Sequence, residues 1–310
     1  MKVSVIGLGN VGSSLAFVLA IRNFVRELVL VGRNRDSVMG DVLDLRHGQL
    51  FVDSPTEVFA GRIADTTGSD VIAICASVPT PKNMRSRLEL AQGNVDLLRE
   101  LMPALARHAP ESKIVIVSNP VDVLVHYALE FTGFQPHQIL GTGTLVDSSR
   151  FRQLLAEELR IHMEDIRAYI LGEHGDSQFP AMSCADAGGE PLDPTPARYA
   201  LFERASRAGF EVLKYKGCTN YAIALAAAEI IQCIALDAKH TMPVSLRVDG
   251  FLGVRDVCLS LPAVIGGNGI ERVLHPRLSE GESRAFLHSA EIVRHAIDSV
   301  ESPGAKVSVG

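Results

Sequence analysis

The sequence predicts a doubly wound parallel α/β sheet followed by a smaller α+β lobe. Three observations carry this expectation. Short apolar runs alternate with helical periodicity through the first half of the chain. A glycine-rich turn directly follows the first run. Toward residue 145 the alternation gives way to longer helical segments. The division is placed at 143/144, with residues 1–143 as the wound sheet and 144–310 as the second lobe.

In order, strands are expected at residues 3–6, 28–31, 71–75, 114–117 and 138–140, apolar throughout but for Ser4 and Gln138, as suits strands covered on both faces. Helices are expected at 11–21, 37–46, 88–108 and 121–131. Strands alternating with helices imply right-handed crossovers and hence a parallel sheet. In the second lobe helices are expected at 148–159, 197–214 and 218–240, with strand-like pieces at 242–248 and 257–261. "GGEPLDPTPAR" (188–198) is expected to be a surface loop, and the tail from residue 302 to be frayed.

The 310 residues are 47 % hydrophobic and 21 % charged, which suits a globular chain with a sizeable core. A net charge of −6, without a basic run, gives no support to a nucleic-acid partner. Five widely spaced cysteines with no C-x-x-C pair read as buried thiols in a reducing compartment, which points to the cytoplasm, and no metal ligands are expected. The longest apolar stretch (221–236) is short for a membrane span and is interrupted by Glu229 and Gln232, so it reads as a core helix.

Gly7, Gly9 and Gly12 form G-x-G-x-x-G after a strand and at the mouth of a helix, with Asn10 and Val11 between them. Such a turn lets backbone approach a pyrophosphate, and the helix N-terminus favours its charge. A carboxylate is expected at the end of the next strand to bond a ribose. "LVLVGRNRD" instead supplies Gly32 and Arg33. Either Arg33 stays solvated and NAD binds without the acid, or the guanidinium meets the 2′-phosphate of NADP.

"GEHGD" (172–176) places His174 in a loop after the strand-like "AYIL", where an imidazole can exchange a proton near neutral pH. Asp147 and Arg150, three residues apart, share a face if a helix begins there with Asp147 as N-cap. A carboxylate can orient the imidazole while the guanidinium holds a substrate carboxylate, or the two form an ordinary ion pair. The polar stretch "SVPTPKNMRSRLELAQGN" (77–94) leaves a strand at the ligand-facing end and is either a closing loop or a solvated one.

Together with "SNPVD" (118–122), "GTGTLVDSSRFR" (141–152), "LGEHGDSQFP" (171–180), "KGCTNYAI" (216–223) and "SLPAVIGGNGI" (260–270), these motifs resemble the L-lactate and malate dehydrogenase family over nearly the whole chain. The lactate and L-2-hydroxyisocaproate branch is the nearest in flavour. The resemblance implies a Rossmann-type dinucleotide-binding domain, a C-terminal catalytic domain, a nicotinamide cofactor and a small 2-oxo or 2-hydroxy acid as substrate. It also implies a homodimer or homotetramer. Under it His174 is the acid–base group, Asp147 orients it, Arg150 holds the substrate carboxylate, Asn119 contacts the substrate oxygen and the cofactor region, and Arg87 polarises the reacting carbonyl. Thr219 and Ile223 match the lactate-type substrate and cofactor positions.

Two departures stand out. One is the missing acid at Gly32. The other is the loop "ASVPTPKNMRSR", where the position that reads the substrate's far end falls on Thr80, Pro81 or Lys82 depending on register. A dicarboxylate needs a cation there, and Lys82 supplies one in only one register, so monocarboxylic 2-oxo acids are expected, with oxaloacetate reduction as the alternative. By the same resemblance Arg152 and Arg167 match the positions that bind a sugar bisphosphate in allosteric bacterial lactate dehydrogenases. An NAD-dependent glycoside hydrolase and a catalytically silent dinucleotide sensor stand as competing functions.

Overall fold

The structure, a computed structural model, describes residues 1–53, 55–79 and 90–300. Strands β1 (Lys2–Ile6), β2 (Glu27–Val31), β3 (Glu57–Ala60), β4 (Val71–Ile74), β5 (Lys113–Ile116) and β6 (Ile139–Gly141) are all parallel, in the order 3-2-1-4-5-6. Edge strand β3 apart, their interiors are buried on both faces, which is why they read as largely apolar runs without alternation. Helices α1 (Asn10–Ile21), α2 (Arg35–Gly48), α3 (Ala91–His108) and α4 (Val121–Thr132) connect them. The strand order reverses between β1 and β4, and a crevice for ligand is expected outside the carboxyl ends of strands at such a point.

The second half does not form a lobe wholly apart. Its strands β12 (His240–Asp249), β13 (Arg255–Gly266) and β14 (Gly269–Val273) run antiparallel and join β6 through Ser245 opposite Gly141, giving one sheet of nine strands. The remainder packs around a small core of its own. That core includes Phe151, Leu155, Ile166, Met182 and Phe202. It lies among α5 (Leu145–Leu159), α6 (Pro196–Lys216) and the short strands β7 (Ile166–Arg167), β8 (Ile170–Leu171), β9 (Phe179–Pro180), β10 (Asp186–Ala187) and β11 (Glu190–Pro191). Helix α7 (Tyr221–Ala235) buries Ala224, Ala228 and Ile231 while Tyr221 and Leu225 face outward. No helix among the described residues is long and apolar enough to cross a membrane.

Several expectations need correction. The loop expected at 188–198 is partly ordered: Gly188 and Gly189 turn the β10–β11 hairpin, and Thr195 caps α6 with Pro196 at its first position. The helix expected to reach residue 240 ends at Ala235, because Asp237 and Lys239 adopt left-handed backbone and His240 opens β12. Strands β3 and β14 were not foreseen. Neither was α8 (Glu280–Asp298), although its reciprocal Ser279–Glu282 cap is a start signal written in the sequence. Of the five cysteines, Cys233 and Cys258 are buried while Cys75, Cys184 and Cys218 are only partly so. The tail from residue 302 lies outside the described residues.

Candidate active site

The glycine turn sits at the crevice. Gly7 has φ +96°, and a side chain there would lie 2.4 Å from the Ala76 backbone nitrogen. One at Gly12 would lie 1.9 Å from the Gly7 carbonyl, so α1 packs against the turn only with glycine. A side chain on Gly9 would meet nothing within 4 Å, which leaves this backbone open to a ligand. Asn10 and Val11 begin α1, whose first turn carries no acidic residue to offset the positive helix end. These features fit the pyrophosphate of a dinucleotide.

The end of β2 is different. A Cβ on Gly32 would lie 2.7 Å from Cγ2 of buried Val38, so the space for a carboxylate is taken by an α2 methyl group. Arg33 is exposed, and Asn34 caps α2 by accepting the Asp36 and Ser37 backbone N–H groups.

The residues expected to form an acid–base set come together from α5 and the loop after β8. Asp147 is in the first turn of α5, not at its cap, which is Thr144. The helix starts three residues earlier than expected because the Thr144 hydroxyl bonds the Ile170 carbonyl at 2.5 Å and its N–H bonds Ser260 Oγ at 3.1 Å. The Asp147 side chain is 1 % exposed; Oδ2 accepts from His174 Nδ1 at 2.7 Å and Oδ1 from Arg150 at 3.1 Å. A carboxylate cannot donate, so Nδ1 carries the hydrogen and Nε2 is the position that exchanges protons. His174 is itself anchored through its backbone N–H, which donates to Asp122 Oδ2 at 2.8 Å, while Asp122 Oδ1 accepts from Ser245 at 2.5 Å.

The loop is held from behind as well. Glu173 is buried and accepts the Ser177 hydroxyl, and Ser289 of α8 donates to the Ser177 carbonyl at 2.8 Å. Downstream, Glu282 accepts the Ser183 and Ser279 N–H groups. Burial pushes the Glu282 carboxyl up, but these hydrogen bonds outweigh it and hold the group below its ordinary value.

Asn119 follows β5. Its side-chain oxygen is buried with no hydrogen-bond partner, and its carbonyl accepts from Asn94 Nδ2 at 2.6 Å. An orphaned buried acceptor beside the crevice suits a site completed by ligand. Thr219 and Ile223 flank the start of α7, half-buried, and Asn220 between them donates to Ser14 of α1 at 2.7 Å, which draws this segment to the dinucleotide helix. Arg87, Lys82, Thr80 and Pro81 lie outside the described residues. The sequence reasoning missed Asp122, Ser245, Asn94 and Glu173 as positioning groups. A carboxylate within the apolar helix start "VDVLV" was the available signal for Asp122.

A family model described as "lactate/malate dehydrogenase, NAD binding domain" matches residues 1–141, and one described as "lactate/malate dehydrogenase, alpha/beta C-terminal domain" matches 144–303. The chain is 40 % identical over 306 residues to an L-lactate dehydrogenase of Synechococcus sp. (strain JA-3-3Ab), covering 97 % of this chain and 99 % of the relative. It is 38 % identical to an L-lactate dehydrogenase of Gloeobacter violaceus, covering 97 % and 94 %. A crystal structure of a minor L-lactate dehydrogenase from Enterococcus mundtii in its ligands-bound form superposes with a TM-score of 0.92 at 27 % identity, covering 97 % and 98 %.

Proposed function

The chain belongs to the lactate/malate dehydrogenase family, and on that premise we propose how its own residues carry the reaction. It is an oxidoreductase that transfers a hydride between a nicotinamide cofactor and a small L-2-hydroxy acid of the lactate type. One observation carries the residue assignment: a buried carboxylate, Asp147, joins the imidazole of His174 to the guanidinium of Arg150.

When bound, the nicotinamide supplies or accepts the hydride. In the reducing direction the imidazolium of His174 releases its Nε2 proton to the substrate carbonyl oxygen; in oxidation neutral Nε2 takes the hydroxyl proton. Asp147 stabilises the charged ring from a position where water screens little. Arg150 presents a planar fork to the substrate carboxylate. A ligand donor satisfies Asn119, whose unpartnered oxygen otherwise costs about 1–3 kcal/mol. Arg87 polarises the carbonyl, and Thr219 and Lys82 border the substrate. Gly7, Gly9, Asn10, Val11, Gly12, Gly32, Arg33 and Ile223 border the cofactor, within a dinucleotide domain of 1–143 and a catalytic domain of 144–310.

The absent acid, the Val38 methyl in its place and exposed Arg33 support use of NADP(H) alongside NAD(H). Exposed Phe17, Ile21, Met39, Leu43 and Leu225 on α1, α2 and α7 support association with further copies of this chain, read by light scattering. Arg152 has a buried Nε without a partner, and both its charge and that of Arg167 act on Tyr169, which supports an anionic effector there. Activity unmoved by fructose 1,6-bisphosphate or sulfate would remove that assignment. Unpaired cysteines support the cytoplasm as location.

The test of the catalytic assignment is His174→Asn assayed with pyruvate, oxaloacetate, 2-oxoisocaproate and phenylpyruvate. Turnover falls by about a thousandfold or more while cofactor titration is unchanged. Undiminished turnover removes His174 from the mechanism, and oxaloacetate outpacing the others would overturn the monocarboxylate assignment.

A further inference from the structure

A second set of ligating side chains meets far along the chain from the catalytic histidine. Glu229 and Cys233 stand one turn apart on α7, and His240 begins β12. One ligand atom from each lies within 4.8 Å of the other two. The connection between helix and strand makes this possible. Asp237 and Lys239 adopt φ of 48° and 55°, the Ala238 N–H bonds the Cys233 carbonyl at 3.0 Å, and the chain doubles back over the helix end. This brings His240 beside the Cys233 thiol.

A sulfur, an imidazole nitrogen and a carboxylate oxygen are the donor types chosen by a borderline-soft divalent ion, and three protein ligands leave a fourth position for water. We propose that Glu229, Cys233 and His240 form a Zn²⁺-class site on the end of α7, separate from the catalytic set. Cys233 is buried at its base, while half-buried Glu229 and exposed His240 form the solvent side through which an ion enters.

Two features set the terms of binding. Arg22 donates to Glu229 Oε2 at 3.1 Å and to Gln232 Oε1 at 2.5 Å, so the guanidinium keeps Gln232 when the ion takes over Glu229. The buried Cys233 thiol lies beside the Glu229 carboxylate. An ion that binds the sulfur displaces a proton: the S–H bond breaks, the metal–sulfur bond forms and the proton leaves to solvent.

The experiment titrates the full-length protein with Zn²⁺ against a colorimetric chelator, and separately with Co²⁺, whose thiolate-to-metal absorption reports sulfur ligation. The proposal expects one equivalent of Zn²⁺ per chain, weakened at least about tenfold by His240→Asn and by Cys233→Ser. It also expects a Co²⁺ absorption band that Cys233→Ser abolishes. His240 is exposed, so its variant keeps the test open if the buried Cys233 substitution fails to fold. Zn²⁺ affinity equal in wild type and His240→Asn, or no thiolate band with wild type, overturns it.

Discussion

The loop after β8 and the end of β2 are built in opposite ways. The loop carrying His174 is bonded from every side: Asp147 holds the ring, Asp122 the backbone, and Ser289 the residues that follow. The end of β2 carries a side-chainless Gly32 and an exposed Arg33. The His174–Asp147 pair is preorganised by buried hydrogen bonds, where each lost partner is costly. The end of β2 offers only exposed charge, which is screened and worth little per contact. On the proposed reading, chemistry is hard to alter in this molecule and cofactor choice easy.

The most severe way to break the contrast is Asp147→Asn. It removes the charge that stabilises the imidazolium and the acceptor that sets its tautomer, and kcat should fall about a thousandfold. Cofactor titration should be unchanged, and an unchanged kcat would show that Asp147 does not act through His174. Asp122→Asn should cost less, about tenfold to a hundredfold in kcat with cofactor affinity retained, because it loosens the backbone rather than the ring. A loss confined to KM would contradict that positioning role.

At the other strand end, Gly32→Asp combined with Val38→Ala makes room for a carboxylate. The ratio of NADPH to NADH affinity should drop at least about tenfold in direct titration, from repulsion of a 2′-phosphate and a bond to the ribose. A ratio that stays put would show that this strand end does not meet the ribose. The smallest effect belongs to the outer support of the catalytic loop, where Glu282→Gln should cost about 1 kcal/mol in chemical unfolding at pH 7. Because the Glu282 carboxyl sits below its usual 4.5 in the folded state, its contribution is complete above that pH. It fades as the pH falls through the folded value, so the two proteins should converge in acid. A difference that persists there would mean that packing, not charge, is responsible.

The amino-acid order alone determined the parallel half of the fold, since strands covered on both faces must be continuous apolar runs and the turn between β1 and α1 admits only glycine at Gly7 and Gly12. It also marked His174, Asp147 and Arg150, because Asp147 and Arg150 lie within one helical turn and the histidine stands in a motif. Short β3 and β14 escaped, having few residues and, with Glu57 in one and Glu271 and Arg272 in the other, charges that a pattern of apolar runs does not catch. Only the tertiary structure decided that the second half extends the same sheet, that Asp122 reaches the His174 backbone across 52 positions of chain, and that His240 turns back onto Cys233. Local propensity and periodicity act over a few residues, whereas these meetings are set by packing and by hydrogen bonds between distant segments, which leave no periodic mark on the chain.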